Sequence, residues 1–228
     1  MTSLFIRQIA ATLLAVAIAS IGSGTRVAAQ GASQPARLSQ GDIDAMAKAK
    51  TDSTRLPYVA ADIHFMSGMI GHHAQAIAMA HWAPTHDAGP DVRRLAERII
   101  NAQVDEITIM QNWLRDRRQP VPEAKPGPMK MMMNGMEHDM LMPGMLSDAQ
   151  MKQLDTARGP EFDRLFLSFM IQHHRGATSM VKELFDTYGA GQDETVFKFA
   201  SDVNIDQTTE IARMEKMLAA LVLGVQLP

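Results

Sequence analysis

Hydrophobic and polar positions repeat along most of this chain with the spacing of an amphipathic helix. Between residues 62 and 79, six positions follow steps of 3, 4, 3, 4 and 3, so they share one helical face. These positions are Asp62, Phe65, Met69, His72, Ala76 and Met79. The next amphipathic segment follows the same steps through Ala96, Ile99, Gln103, Glu106, Met110 and Trp113. The pattern predicts two helices, each with polar residues in the middle of its buried face.

The same helix pair occurs again in the second half of the chain. A shift of 101 residues aligns the first set with Asp163, Phe166, Met170, His173, Ala177 and Met180. A shift of 104 residues aligns the second set with Ala200, Val203, Gln207, Glu210, Met214 and Met217. Internal repetition of this kind indicates a duplicated structural unit. We therefore predict two copies of one helix pair.

Proline and glycine residues mark where the predicted helices begin and end. They bound four helices of roughly 25 to 30 residues, which suit an all-α four-helix bundle. Strand signals are weak. The prediction is a single domain over 57–223, in which a Pro/Met-rich connector over 119–159 joins a first helix pair (57–118) to a second (160–223).

Two shorter helices are also expected. One lies near Asp42–Lys50 in the polar N-terminal segment 30–56, and the other runs from Asp148 to Ala157. Ser147 and Gln150 have the spacing of a capping box at the start of the second. The connector is long enough either to return beside the bundle or to traverse its full length, and the sequence leaves both paths open.

The N-terminus has the composition of a secretory signal peptide. A basic start at Arg7 is followed by an apolar run from Ile9 to Ile21 and by the small residues Val27-Ala28-Ala29. The apolar run is shorter than the roughly 20 residues that a spanning helix needs. We expect cleavage of residues 1–29, a periplasmic or secreted product, and no membrane anchor afterwards.

The net charge and the lack of cysteine limit which partners and which metal ligands this chain offers. Removal of 1–29 takes two arginines from the 22 Lys and Arg residues and leaves 25 Asp and Glu, a formal charge of −5. Such a surface gives no reason to expect a nucleic-acid partner. The chain has no cysteine, so it forms no disulfide and offers no thiolate ligand. Any soft-metal chemistry must therefore rest on Met and His.

The predicted helices place a polar layer in the bundle core. His72 and His173 lie on the buried faces, and His73 and His174 lie on the adjoining stripe, about 100° away. The partner helices add two amides and two carboxylates at inward positions, namely Gln103, Gln207, Glu106 and Glu210. Buried carboxylates are costly unless they are paired, hydrogen-bonded or bound to metal.

This layer has two interpretations that the sequence leaves open. In the structural one, neutral histidines bond to Glu and Gln and fix the register of the helices, while Asp62 and Asp163 bond near helix starts. In the functional one, a thioether and an imidazole bind one ion in each half: Met69 with His72 or His73, and Met170 with His173 or His174. The six acidic and amide residues, Asp62, Gln103, Glu106, Asp163, Gln207 and Glu210, would then support the ligands.

The connector carries eight methionines within seventeen residues. They are Met129, Met131, Met132, Met133, Met136, Met140, Met142 and Met145, with His138 among them. Thioether sulfur suits Cu(I) in an oxidising compartment, although methionine also fills gaps in packed interfaces. Because Asn134-Gly135 and Pro143-Gly144 favour turns over a buried helix, we interpret the segment as a copper-binding loop, with Cu(I) favoured over Cu(II).

The repeated motif resembles a known family. DxxFxxxMIxHHxxA, followed each time by a helix with QxxEI and Met, is similar to family 305 of the domains of unknown function, over about Tyr58–Arg118 and Glu161–Leu221. The resemblance implies a ferritin-like four-helix bundle. It also implies an exported copper-binding protein of copper resistance or homeostasis, which sequesters, buffers or hands on the metal, and a copper transporter or other exported copper protein as partner.

Two other functions compete with copper binding. A ferritin-like di-iron or di-manganese oxidase would need Glu-x-x-His motifs, and no glutamate of the four helices has a histidine three residues later. We therefore expect no enzymatic activity. A Met-rich interaction module is the other alternative, and it would bind its partner whether or not metal is present.

Overall fold

The structure is a computed structural model that describes residues 39–53, 58–133 and 136–225. The predicted signal peptide, 1–29, lies outside the described residues. Six helices and one hairpin follow in chain order: α1 Gln40–Ser53, α2 Ala60–His81, α3 Pro90–Asp116, β1 Met129–Met133, β2 Met136–Met140, α4 Asp148–Thr156, α5 Gly159–Asp186 and α6 Glu194–Leu223. The prediction of an all-α fold built on four long helices is confirmed for the described part of the chain.

Both predicted short helices are present, and both begin at side-chain caps. At α4, Ser147 Oγ accepts from the Gln150 N–H at 3.4 Å and Gln150 Oε1 accepts from the Ser147 N–H at 3.0 Å. This is the capping box that the sequence predicts. At α1, Asp42 Oδ2 accepts from the Ser39 N–H at 2.9 Å. The helix runs slightly further in both directions than the predicted Asp42–Lys50.

The carboxylates Asp62 and Asp163 anchor the loops between paired helices. Asp62 accepts from the Val59 N–H at 2.8 Å, and Val59 is the N-cap of α2, which begins at Ala60, three residues later than the start predicted at Pro57. Its other oxygen accepts from the Gly191 N–H at 2.7 Å. Asp163 accepts from the Gly89 N–H at 3.1 Å. Each helix pair thus supplies a carboxylate that holds the other pair's loop, whereas the structural interpretation predicted only that these carboxylates bond near helix starts.

The bundle interior consists of two apolar clusters with the polar layer between them. One cluster joins residues 65–70, 107–114, 177–184 and 196–203 of the four long helices. The other joins residues 76–80, 92–99, 162–171 and 214–217. The early part of α2 therefore meets the late parts of α3 and α5, so α2 runs antiparallel to both and parallel to α6. The duplicated sequence gives two helix pairs with approximate two-fold symmetry.

The connector traverses the full length of the bundle along α2 and α5. It leaves α3 beside the start of α2, and its Leu146 N–H and C=O bond to Gln75 of α2 at 2.7 and 3.0 Å. Near the far end, His86 Nε2 bonds to the Asp155 carbonyl at 2.9 Å, just before α5 begins. This is the crossover path of the two that the sequence allowed.

The connector also forms a two-stranded antiparallel hairpin, which the prediction did not include. Its register pairs Met129 with Met140, Met131 with His138, and Met133 with Met136. Residues 134–135, between the strands, lie outside the described residues. Because backbone pairing in a ladder satisfies the N–H and C=O groups without regard to side-chain type, a methionine run can form strands despite its weak strand propensity.

Close backbone contact fixes the connector against α5 at the level of the polar layer. A Cβ atom on Gly176 would lie 1.9 Å from the Pro143 carbonyl oxygen, so only glycine fits there. Gly144, which has a φ of +79°, is in contact with the same turn of α5. The approach of these two glycines directs the Pro143 carbonyl towards α2.

Candidate metal centre

Four histidines form a row across the middle of the bundle. His72 and His73 come from α2, His173 and His174 come from α5, and all four are fully buried. The ring centroids of His72 and His173 are 3.8 Å apart at the centre. The neighbours in each pair, His72–His73 and His173–His174, are 6.3 Å apart. The heptad spacing thus predicted the inward position of His72 and His173, and the row extends outward through their neighbours.

Three of these imidazoles have Nε2 close to an oxygen, and two of them form a hydrogen bond to it. His72 Nε2 lies 2.9 Å from the Pro143 carbonyl and His174 Nε2 lies 2.8 Å from Glu210 Oε2. His73 Nε2 lies 2.7 Å from Glu106 Oε2, although the N–H direction does not meet that oxygen well. A carbonyl or carboxylate oxygen only accepts, so Nε2 of His72 and Nε2 of His174 carry a proton, and Nδ1 is the nitrogen left for another partner. In all three rings Nδ1 is buried without a partner in the protein.

Most buried polar side-chain atoms that lack a hydrogen bond lie in this layer. His173 has no partner at either ring nitrogen, and the same holds for one side-chain atom of Gln103 and both of Gln207. Within the described residues, nine of the ten buried side-chain nitrogen and oxygen atoms without a hydrogen bond belong to this layer. Each such atom costs about 1–3 kcal/mol of desolvation that a ligand could offset.

The central histidines are neutral at ordinary pH. Burial, with a smaller contribution from His73, lowers the pKa of His72 to about 3. Burial and then the proximity of His72 lower the pKa of His173 well below its ordinary value. Neutral imidazole is the form that binds a metal ion, so these rings need not lose a proton first.

An acidic groove between α3 and α6 leads to the layer from solvent. Its volume is about 320 Å³, and its lining includes Glu106, Asp206 and Glu210. Burial and then the neighbouring Glu106 raise the pKa of Asp206. One cation borders the groove, because Arg98 Nη2 lies 4.0 Å from Glu210 Oε1. A concave surface lined by carboxylates raises the local concentration of cations.

The other residues predicted around the layer divide into two groups. Gln103 and Gln207 lie in it and are buried. Asp62 and Asp163, in contrast, lie at the ends of the bundle, because each is ten residues, or about 15 Å of helix, from its histidine. Their oxygens bind backbone N–H groups there, so they do not support the histidines.

The helix methionines Met69 and Met170 are fully buried on opposite sides of the layer. Met69 belongs to the cluster with the start of α2, and Met170 belongs to the cluster with the start of α5. Each lies one turn from its histidine along the helix. The approximate symmetry therefore gives each histidine pair a thioether from its own helix.

The connector methionines occupy different environments. Met142 and Met145 are buried in an apolar cluster, and Met129 is half-buried against it. Met136 and Met140, in the hairpin, are exposed. The side chains of Met131, Met132, Met133 and His138 lie outside the described residues. Met142 and Met145 thus have the environment of gap-filling core residues, whereas Met136 and Met140 have the exposure expected of a copper-binding loop.

Two groups next to the layer were not predicted from the sequence, the Pro143 carbonyl and the Asp206 carboxylate. The Pro143 carbonyl had no signal in the sequence, since Pro143-Gly144 indicated only a turn. Asp206 could have been found, because it lies one turn before Glu210 on the same face of α6.

Among the described residues, no three or more His, Asp or Glu side chains surround a point where they could hold a metal ion. Within the described residues, thioethers are the further ligands that this layer offers beside its imidazoles. Thioether and imidazole ligands select soft and borderline metals.

Comparison with known proteins identifies the fold's relatives. The family model "Domain of unknown function (DUF305)" matches residues 62–218. A crystal structure of a DUF305 protein from Streptomyces coelicolor, described as secreted, is 30% identical, with 74% of this chain and 96% of that chain covered and a TM-score of 0.59. A DUF305 fragment from Deinococcus radiodurans is 28% identical, with 72% and 98% covered and a TM-score of 0.59.

CopM, a protein solved in a Cu(I)-bound form, is also similar. It is 28% identical, with 68% of this chain and 94% of that chain covered and a TM-score of 0.52. CopM was also solved with Cu(II), with Ag and without metal. Over 57 residues the chain is 37% identical to a protein of Acanthamoeba polyphaga mimivirus, and it spans only 38% of the length of that curated relative.

Among the described helices, none combines the length and the apolar character that a membrane span requires.

Proposed function

The chain belongs to the DUF305 family, and we propose that it is an exported protein that sequesters, buffers or hands on copper. One observation carries the proposal. Two buried histidines, His72 and His174, are held through Nε2 by a carbonyl or a carboxylate, His73 Nε2 lies 2.7 Å from Glu106, and all three keep a partnerless Nδ1. Metal-binding histidines are held in this way, with the second nitrogen donating to an oxygen acceptor that fixes the ring.

Copper fits the available ligands better than harder metals do. The layer offers neutral imidazoles with thioethers one turn away, and the chain has no thiolate. Cu(I) prefers sulfur and nitrogen ligands of this kind, so Cu(I) is the favoured state and Cu(II), through the imidazoles, is the second. Similarity to CopM, which was solved with Cu(I), Cu(II) and Ag, supports the same choice.

The two sides of the layer have different parts in this proposal. The crossover covers the α2–α5 side, because its Pro143 carbonyl and Leu146 backbone bond to α2. The acidic groove between α3 and α6 is the entry route for the cation, and Glu106 and Glu210 stand between the groove and their histidines. We propose storage or transfer of copper without turnover, with an exported copper transporter or another copper protein as the partner.

The test is an anaerobic competition titration against a chromogenic Cu(I) chelator. The intact mature protein is expected to retain Cu(I). The double variant His73→Leu/His174→Leu should lose at least about tenfold in affinity, since it removes two ligands but leaves the His72–Pro143 bond in place. The exposed His81→Gln is the matched control and should bind like the intact protein.

The hairpin is tested separately by Met136→Leu/Met140→Leu. Both positions are exposed, so these changes leave the core intact, whereas deletion of 129–145 would also remove the buried Met142 and Met145. Fewer Cu(I) equivalents in this variant would assign metal to the hairpin. Absence of Cu(I) retention by the intact protein would overturn the proposal, and iron in the purified protein would favour the oxidase.

A further inference from the structure

A small cavity where the connector meets α2 and α5 carries a second set of soft ligands. Its volume is about 50 Å³. His64 of α2, Met142 of the connector, and Met180 and Glu183 of α5 line it, together with Thr187 and three apolar side chains. Three chain segments that are far apart in sequence thus bring one imidazole, two thioethers and one carboxylate to a single small space.

A third thioether lies next to this cavity. Met129 and Met142 both pack over Gly68, and each sulfur lies 3.4 Å from the point where a Cβ of Gly68 would be. The two sulfurs are therefore at most twice that distance apart. Gly68 lies one helical turn after His64 on the same face of α2, so His64 lies beside this methionine pair.

We propose that His64, Met142 and Met180 form a distinct binding site for a soft monovalent ion, Cu(I) or Ag(I). Met129 supplies a further thioether beside Met142, and Glu183 supplies negative charge at the mouth. The site deepens the proposed function and rests on it, because it presumes a copper-binding protein. It is separate from the histidine layer, since His64 is eight residues, or about 12 Å of helix, before His72.

The chemistry of the ligands favours a monovalent soft ion. Two neutral thioethers and an imidazole match the preference of Cu(I) for sulfur and nitrogen. The single carboxylate of Glu183 would balance one positive charge. Met142 and Met180 are almost fully buried, which protects them from oxidation, while His64 is only half-buried and gives the ion a route in.

Core packing explains the two methionines but not the whole set. Both belong to an apolar cluster, where methionine is a common filler. Packing gives no reason for an imidazole and a carboxylate to line the same cavity. The duplicated half provides the comparison: Leu165 occupies the position equivalent to His64, and the buried Met79 occupies the position equivalent to Met180.

This equivalence supplies a matched control for the experiment. Met180→Leu and Met79→Leu make the same change at equivalent buried positions, but only the first touches the proposed site. In anaerobic Cu(I) titration against a chelator, Met180→Leu and His64→Gln are expected to lose one Cu(I) equivalent, or about tenfold in affinity for it. Met79→Leu is expected to keep the stoichiometry of the intact protein.

An independent measurement uses Ag(I), which does not change oxidation state, on protein with ¹³C-labelled methionine methyl groups. Ag(I) should shift the methyl signals of Met142 and Met180 and leave that of Met79 in place. If the intact protein retains Cu(I) but Met180→Leu behaves like Met79→Leu and the Met180 signal does not move, this site is wrong and the proposed function stands. If the intact protein retains no Cu(I), the proposed function itself fails.

Discussion

The two helix pairs share one core motif, yet the crossover makes their histidines different. His72 donates to the Pro143 carbonyl, whereas its equivalent His173 has no partner at either nitrogen. One turn later, the first pair has Gln75, which bonds to the connector backbone, and the second has Gly176, which lets the connector approach. A duplicated sequence thus acquires two inequivalent histidine pairs because a single connector passes between them.

Elsewhere the equivalence of the halves is kept. His73 lies against Glu106 as His174 lies against Glu210, at almost equal distances. Asp62 and Asp163 each hold a loop of the other half. The outer parts of the layer and the bundle ends therefore follow the duplication, and the centre departs from it. A metal ion at the centre would meet different nitrogen donors from α2 and α5.

Gly176→Ala tests the contact that breaks the symmetry, and we expect the largest effect from it. The new Cβ would lie 1.9 Å from the Pro143 oxygen, which is backbone and cannot move alone. The connector must shift and lose its bond to His72, so the free energy of unfolding should fall by about 3 kcal/mol or more. Urea denaturation measures this change.

Gly71→Ala is the control for the same connector on α2. There a Cβ would meet the Lys125 carbonyl oxygen at 3.6 Å, an ordinary contact. Because alanine favours the helix, this variant should be as stable as the parent or up to about 1 kcal/mol more stable. Equal losses in the two variants would contradict the inferred role of the Gly176 approach.

Acid should destabilise the metal-free protein through the central histidines. The unfolded chain binds their protons near pH 6.5, whereas folded His72 binds only near 3 and folded His173 also well below 6.5. The contribution of these histidines to the free energy of unfolding is therefore fully present above about pH 6.5. It falls as the pH drops towards 3, by about 1 kcal/mol per pH unit for each histidine. Denaturation curves between pH 7 and 5 measure the slope, and a flat profile would contradict the burial of neutral rings.

Much of this site could be predicted from periodicity. The 3-and-4 spacing placed His72, His173, Gln103 and Gln207 on buried faces, and the structure buries all four. The capping box at Ser147 was also readable, because it depends only on local sequence. Features set by one helix and its immediate neighbours are within reach of such reasoning.

Features that depend on the path of the connector could not be predicted from local sequence patterns. Asn134-Gly135 between two methionine runs is a hairpin signal, but the absence of β-branched residues concealed the strands. The Pro143–His72 bond depends on a close approach at Gly176 that no local pattern encodes. His64 lies outside the buried-face positions that the spacing defines on α2, so periodicity gives it no part in a site, and only the crossover brings Met142 next to it.

Replacement of each central histidine by leucine should change stability in opposite directions. His173→Leu removes two partnerless buried nitrogens, so the metal-free protein should gain about 1 kcal/mol. His72→Leu leaves the Pro143 carbonyl without its donor, so the protein should lose about 1–2 kcal/mol. Urea denaturation of the two variants, side by side, measures the difference. A loss in both variants would imply that His173 has a partner within the folded bundle.

The smallest expected difference concerns the two glutamates at the acidic groove. Arg98 lies 4.0 Å from Glu210 and offsets part of its charge, whereas no cation among the described residues forms an ion pair with Glu106. Glu106→Gln and Glu210→Gln each remove one negative charge and leave Arg98 in place, so both should slow copper uptake by a similar factor, a few-fold at low salt, since steering depends on the net field of the groove. Stopped-flow measurement of metal binding provides the rates. Added salt should reduce the slowing in both variants because it screens the exposed charges, and a slowing that persists only in Glu106→Gln at about 1 M salt would indicate direct ligation by Glu106.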